Sequence, residues 1–495
     1  MSSSPRSSFP PVPRLLPARV LRTEALAGLV VALALIPEAI AFSIIAGVDP
    51  EIGLYASFTM AVVIAVCGGR PAMISAATGA VALVVAPLSA EHGVEYLLAA
   101  VVLGGLVQIA LAVSGVARLM RFLPRSVMVG FVNALAILIF TSQLTHLWNV
   151  PWQVYPLVVV GLAIMIGLPR VTRTVPAPLV AIVALTAVTT FATLDVPTVG
   201  DQGDLPDTLP VLGIPAAPLT IETLTIIAPY AVAIAVVGLI ESLMTAKLVD
   251  DITDTHSDKT RESWGQGVAN VVTGFFGGMG GCAMIGQTMI NVKSGARTRV
   301  STFLAGAFLL VLVVGLGRLV GLIPMAALVA VMVMVAVATF DWHSVRPSVL
   351  RRMPKSETTV MISTVAVTVG THNLAYGVGV GVLVAMVLFA RRVAHLVEVD
   401  PVLDPDGSTK VYRVRGQLFF ASSNDLVFAF DYANDPSRVV IDLSDAHVWD
   451  ASTIASLDAI TTKYAARGTE VTVTGMNADS RSRHDRLAGH LTGGH

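Results

Sequence analysis

Charge is scarce in this chain. Asp, Glu, Lys and Arg make up 13% of its 495 residues, the formal balance is −1, and hydrophobic residues make up 54%. With no basic excess there is no electrostatic footprint for nucleic acid, and with no acidic excess there is no solvating tail. Cysteine is nearly absent: Cys67 and Cys282 stand in apolar surroundings and read as small core residues rather than as a disulfide or a metal pair. The histidines, among them His146, His343 and His372, lack the spacing of a metal site. No Gly-x-x-x-x-Gly-Lys-Ser/Thr occurs, so nucleotide-driven pumping is not expected, and neither an enzyme activity nor a cofactor is implied.

What is abundant is apolar length. A mean hydropathy of +0.76 over a chain of this size makes lipid the solvent for most of it. Residues 1–20 are rich in Ser and Pro, carry Arg6, Arg14 and Arg19, and lack the apolar core of a secretory signal; they are expected to form a cytoplasmic tail. Fourteen apolar segments follow, at 25–46, 53–67, 72–88, 96–116, 126–146, 154–168, 176–194, 224–246, 262–277, 283–292, 300–317, 322–339, 358–371 and 374–390. Several are too short for a full helical crossing.

An even number of spans puts both ends of the membrane part on one side, and the positive-inside rule says which. Arg22, Arg118, Arg121, Arg125, Arg170, Arg173, Lys293, Arg297, Arg299, Arg346, Arg351, Arg352, Lys355, Arg391 and Arg392 all fall on the side read as cytoplasmic, with Arg318 the one exception. The longest opposite loop, 195–222, holds Asp195, Asp201, Asp204, Asp207 and Glu222 and no Lys or Arg. A multi-pass protein of a bacterial inner membrane with cytoplasmic termini is the expectation.

That acidic loop divides the membrane part into halves, 25–194 and 224–390. Seven spans each would give them opposite orientations. The first span of each half carries a carboxylate in similar context, Leu35-Ile36-Pro37-Glu38 and Leu239-Ile240-Glu241, and each is followed by a Gly-rich break, 67–75 and 277–286. Both breaks precede a segment too short to cross as helix, so each is expected to cross half as extended chain and half as helix. Irregular backbone at that depth survives only where protein or a polar cavity covers it. Two half-helices starting near the midplane would aim free N–H groups and positive dipole ends into one cavity, an anion site with no cationic side chain.

These residues carry a resemblance to the SulP family of sulfate permeases and anion exchangers, over nearly the whole chain. Pro37 and Ala41, Asp49-Pro50, Gly53-Leu54-Tyr55 and Ser57 look like that family's first-span signature. Ile74-Ser75 fits its third span, Gly238-Leu239-Ile240-Glu241-Ser242 with Ala246-Lys247 its eighth, and Asn291, Gly295, Arg297 and Thr298 the stretch after its tenth. The resemblance implies an all-α polytopic fold of fourteen transmembrane segments in a 7+7 inverted repeat, with core and gate domains like those of uracil transporters. It also implies a homodimer and an elevator-like movement. The binding residues it implies are Glu38, Phe42, Ser75, Ala76, Ala77, Thr78, Glu241, Ile285, Gly286 and Gln287.

Two departures from the family pattern bear on mechanism. Glu38 stands where many members have Gln, and Gly286-Gln287 where many have Ser-Arg, so the cavity gains a carboxylate and lacks an arginine. An ionised carboxylate beside a bound anion is unfavourable in a low-dielectric site, and a proton taken up by Glu38 or Glu241 with the substrate removes the conflict. Proton–anion symport is therefore expected, of a small carboxylate or dicarboxylate rather than a strongly hydrated divalent oxyanion. An anion channel, a bicarbonate or sulfate exchanger, and a membrane-tethered regulatory protein are the other readings.

After residue 392 the composition turns polar and alternating, as in Val411-Tyr412-Arg413-Val414 and Val439-Val440-Ile441-Asp442-Leu443, which marks a small soluble α/β domain over 393–477. Leu418-Phe419-Phe420-Ala421, Ile441-Asp442-Leu443-Ser444 and Asp450-Ala451-Ser452-Thr453 resemble a STAS domain. Ser452 occupies the place of that family's phosphoserine, with Thr453 where its glycine would stand, and a cytoplasmic partner would bind through this domain. Residues 478–495 are expected to form a flexible tail.

Overall fold

The computed structural model describes residues 17–115, 123–171, 176–394 and 397–490. Most of the expected 1–20 tail, Arg118, Arg121, Arg173 and the last five residues lie outside that set. The chain divides into two compact units, Met1–Gly381 and Val382–His495.

The first unit is helical: α1 (Ala18–Ala46), α2 (Pro50–Cys67), β1 (Ser75–Ala76), α3 (Gly79–His92), α4 (Val94–Val113), α5 (Arg125–Leu144), α6 (Val154–Val171), α7 (Ala177–Phe191), α8 (Ile221–Thr253), α9 (Lys259–Phe275), β2 (Cys282–Ala283), α10 (Ile285–Lys293), α11 (Arg299–Gly321), α12 (Met325–Thr339), α13 (Pro347–Leu350), α14 (Lys355–Thr371) and α15 (Leu374–Ala394), the last running across the division between units. Each expected span coincides with a helix, or with a strand followed by a helix for the third and tenth. Among the described residues, eight helices are long and apolar enough to cross a membrane, while α3, α7 and α12 are apolar but only 14 to 15 residues long. α9, α10 and α14 fall below that measure. The first helix begins at Ala18, inside the stretch read as tail.

The two halves pack alike. α1 rests on α11 as α8 rests on α4, α2 on α11 as α9 on α4, and α5 on α14 as α12 on α6. Small residues let the backbones close: a Cβ on Gly105 of α4 would lie 2.5 Å from the Gly267 carbonyl oxygen of α9, and one on Gly267 would lie 2.6 Å from that of Gly105. Polar side chains fix the helix starts. Thr220, Asp258 and Thr298 accept the N–H groups of Thr223, Arg261 and Val300 at the heads of α8, α9 and α11. Buried Glu24 accepts three more at α11, from Arg297, Thr298 and Ser301. The acidic 195–220 loop is tied down: Tyr55 donates to the Thr208 carbonyl, and the Val199 and Met325 amides bond to Ile323 and Pro197.

Between α2 and α3, and between α9 and α10, the backbone leaves helix and the two breaks meet as an antiparallel bridge, Ser75 opposite Ala283 and Ala76 opposite Cys282. Gly281 permits this contact, since a Cβ there would lie 1.9 Å from the Ala76 carbonyl oxygen.

The second unit carries a four-stranded sheet in the order β3 (Glu398–Leu403), β4 (Thr409–Leu418), β5 (Arg438–Val448), β6 (Glu470–Thr474), the first pair antiparallel and the others parallel. α16 (Phe420–Phe428), α17 (Ala451–Ala465) and α18 (Ala478–Leu487) complete it around a core that includes Tyr412, Leu418, Ile441, Leu457 and Tyr464. The expected tail from 478 is corrected by α18: buried Ser480 accepts the Val448 amide at 2.9 Å, Arg483 donates to the Val448 carbonyl, and Asn477 caps the helix. The polar composition read as mobility belongs to a helix with one anchored face.

Candidate functional site

The extended strands deprive their residues of helical partners, and side chains from the surrounding helices supply replacements. Ile74 N–H donates to Thr288 Oγ1 (3.0 Å), Ala77 N–H to Ser57 Oγ (3.3 Å) and Ala283 N–H to Ser242 Oγ (3.1 Å). Asn270 grips both backbone groups of Gly281, at 2.9 and 3.0 Å, and also donates to Gln108 Oε1. Gln266 donates to Ser75 Oγ and to Glu262, whose other oxygen accepts the Gly69 and Arg70 amides. Glu262, Gln266 and Asn270 form a buried stripe at four-residue spacing along α9. The breaks are thereby satisfied from behind, and their helical ends remain open in front.

In front lies a cavity of about 430 Å³. α3 begins beside it, with Thr78 as N-cap accepting the Val81 amide at 3.4 Å; α10 begins there too, with Met284 ahead of it and no side-chain cap. The amides of Gly79 and Ala80, and those of Ile285, Gly286 and Gln287, have no acceptor within their own helices. Glu38 of α1 and Glu241 of α8 face the same space, with Thr78, Phe42, Ile285, Gly286 and Gln287. Among the described lining residues none carries a positive charge. The rest of the wall comes from α5, α6, α7 and α12.

The two carboxylates differ in their partners. Glu38 shares the cavity wall with the Gln287 side chain. Glu241 accepts a hydrogen bond from the Cys282 thiol at 3.0 Å, and that sulfur lies 3.2 Å from Thr78 Oγ1, so the N-cap of α3 and the carboxylate of α8 are joined through a cysteine. The backbone amide released nearby, at Ala283, is held by Ser242 instead.

Seven of the ten residues expected from the sequence thus come together. Ser75, Ala76 and Ala77 do not line the cavity; all three are buried, Ser75 and Ala76 in the bridge, where Ser75 holds Gln266 and Ala76 packs on Gly281, and Ala77 just beyond it. Cys282, read as an inert core residue, is part of the hydrogen-bond chain. The apolar wall from α5 and α12, with Phe131, Leu135, Val331 and Met334, carried no signal distinct from ordinary membrane helix. The polar stripe on α9, by contrast, was detectable as Glu, Gln and Asn at helical spacing inside a span.

In the second unit Ser452 is exposed in the first turn of α17, whose N-cap Asp450 accepts the Thr453 amide at 3.1 Å and the Phe420 amide at 2.6 Å. Thr453 is buried against Ser423. No group of His, Cys, Asp and Glu able to hold a metal occurs among the described residues.

Paired broken helices with their N-termini on one cavity, inside a body of apolar helices related by an inverted repeat, define a membrane transport protein of the broken-helix class. The chain belongs to the sulfate permease family, which matches residues 21–159 and 148–364, and it carries a STAS domain, matched over residues 400–488. YbaR of Bacillus subtilis, provisionally named a sulfate transporter, is 53% identical over 94% of this chain and 97% of its own length. The bicarbonate transporter BicA of Picosynechococcus is 24% identical over 95% and 91% of the two chains. Among solved structures, the transmembrane domain of a cyanobacterial BicA superposes with a TM-score of 0.65 at 26% identity, covering 73% of this chain and 98% of that one. The murine anion transporter Slc26a9 in its inward-facing state superposes at 0.82, over 95% and 88% of the chains; at 16% identity that likeness speaks for the fold.

Proposed function

We propose that this protein is a proton-coupled symporter of a small carboxylate, with the anion held between the first turns of α3 and α10 and the coupling proton carried by Glu241 and, secondarily, Glu38. The observation that supports this most is the cavity's charge inventory: two helix N-termini, two carboxylates and, among the described residues, no cationic side chain. A helix terminus contributes up to about 2 kcal/mol toward an anion in a partly buried setting, so two give about 4 kcal/mol. Desolvating each charge costs several kcal/mol even after relaxation. One negative charge is sustained by that balance, so the empty site keeps one of its two glutamates protonated; a substrate carboxylate brings a second charge, and taking up one proton with each anion restores the count.

In this reading Ser75, Ala76 and Ala77 shape the site from behind, the protein works as a homodimer in a bacterial inner membrane with both termini cytoplasmic, and α1–α4 with α8–α11 move against the rest. Phosphorylation of Ser452 would set two negative charges beside Asp450 and loosen its hold on Phe420 and Thr453, altering what the STAS domain binds. The second reading is a sulfate or bicarbonate carrier, favoured by the names of YbaR and BicA. Reconstituted protein under an imposed inward proton gradient separates the two. The proposal expects a carboxylate to accumulate beyond the level reached in protein-free liposomes and that excess to collapse with a protonophore; uptake of sulfate or bicarbonate indifferent to pH overturns it.

A further inference from the structure

We propose that the substrate is a monocarboxylate with an apolar body, a dicarboxylate or an inorganic oxyanion being the wrong shape of charge for this cavity. The inference rests on the preceding reading of the site and narrows its substrate class. The cavity is two-faced. Among the described lining residues the polar groups other than Thr339 belong to α1, α3, α8 and α10: Thr78, Glu38, Glu241, Gln287 and the open amides of α3 and α10. The facing wall from α5, α6 and α12 is built of Phe131, Leu135, Met165, Val331, Met334 and Val335, and Thr339 is the single hydroxyl on that side. At about 430 Å³ the space is far larger than one carboxylate group requires and lies within the range of sites for organic molecules.

A carboxylate bound to the open amides leaves the remainder of its molecule against that wall. For a dicarboxylate the remainder ends in a second charge with no donor on that wall to meet it, and holding it against the wall costs part of its hydration. For sulfate the wall gives nothing and the second charge stays at the glutamate end. For an alkyl chain the wall is solvent of the right kind, and each buried methylene is expected to tighten binding about fourfold. The methionines at 165, 244, 284 and 334 suit chains of varied branching, because an unbranched thioether re-forms its surface at little cost.

Because medium-chain acids cross bilayers unaided, equilibrium binding is the cleaner test. Calorimetric titration of the full chain in detergent with acetate, butyrate, hexanoate, succinate and sulfate should show affinity rising about fourfold per methylene from acetate to butyrate, with hexanoate tighter still and succinate and sulfate weaker than butyrate. A flat series, or sulfate or succinate binding tighter than butyrate, overturns the proposal. Val335→Thr, which keeps shape and adds a hydroxyl to the wall, should weaken hexanoate several-fold and leave acetate unchanged; equal losses for both would show that the wall is only structural. Hexanoate binding that persists in Gly286→Leu, where the side chain would fill the space before α10, also overturns it. Repeating the titrations in buffers of different ionisation enthalpy keeps the two claims apart. Chain-length dependence without proton uptake refutes the coupling and leaves the substrate class standing. Sulfate binding with proton uptake does the reverse.

Discussion

Glu241 owes its place to a thiol. Its carboxylate takes the Cys282 Sγ–H at 3.0 Å, and Cys282 touches the hydroxyl that caps α3, so the proton state of Glu241 is felt at the N-terminus of α3. A lone charge at the centre of a membrane helix costs roughly 2.5–3.5 kcal/mol on insertion scales, which argues that Glu241 is neutral in part of the transport cycle. Glu241→Gln mimics that part: anion binding and exchange should survive, while accumulation driven by a pH gradient should fall by at least tenfold. Glu38→Gln, beside Gln287 on the same cavity wall, should show a weaker version of the same loss. Full proton-driven accumulation in the double variant would reduce both carboxylates to scaffolding. Glu38 and Glu241 were legible in the sequence because a carboxylate inside an apolar run is conspicuous. Cys282 was not, since a cysteine among apolar residues looks the same whether it fills space or donates a hydrogen bond.

The broken elements follow from a conflict that the sequence displays openly. Gly277, Gly278, Gly280 and Gly281 cannot sustain a helix in the middle of a span, and 67–71 holds two glycines and a proline. That located the breaks, although α3 begins at Gly79, beyond the stretch 67–75 read as its break, and α10 at Ile285, inside the stretch 277–286. Which residues of the break face the cavity was not readable, because in extended chain that depends on what pairs with it; Ser75 and Ala76 turned inward on β2. Glycine substitutions separate the two faces. Gly281→Ala drives a methyl into the Ala76 carbonyl and should cost several kcal/mol of stability, visible as loss of the folded protein on size-exclusion chromatography. Gly286→Leu meets no atom within 4 Å at its Cβ, so the protein should fold normally and yet lose anion binding. The reverse pattern would place the site on the other side of the bridge.

The whole molecule joins a helical unit to one held by a polar knot of its own. Asp435 is buried and accepts from Lys410 Nζ (2.6 Å), Tyr412 Oη (2.8 Å) and Tyr464 Oη (2.5 Å). The Lys410 hydrogen bond to Asp435 raises that lysine's pKa, and burial followed by its own hydrogen bond to Asp435 raises Tyr464. Both groups are protonated more tightly folded than unfolded. Their contribution is therefore fully present below the unfolded values, near pH 10, and is lost as pH climbs through the raised ones. Amide exchange of residues 398–490 in the full chain should accelerate above about pH 10, and Tyr464→Phe should shrink that acceleration. Deleting 397–495 should deregulate or lower transport and leave the anion preference intact; a folded truncation that changes preference would relocate the site. The STAS domain was readable from its alternating strands, whereas α18 was not, because one anchored serine on a polar helix leaves no periodic mark. The account as a whole turns on whether anion and proton move together. In liposomes with no imposed gradient, adding butyrate outside should carry protons inward, and external pH should rise faster with the wild-type protein than with the Glu38→Gln, Glu241→Gln double variant. Equal alkalinisation by the two, or butyrate uptake above that of protein-free liposomes with no proton movement above that same background, would contradict it.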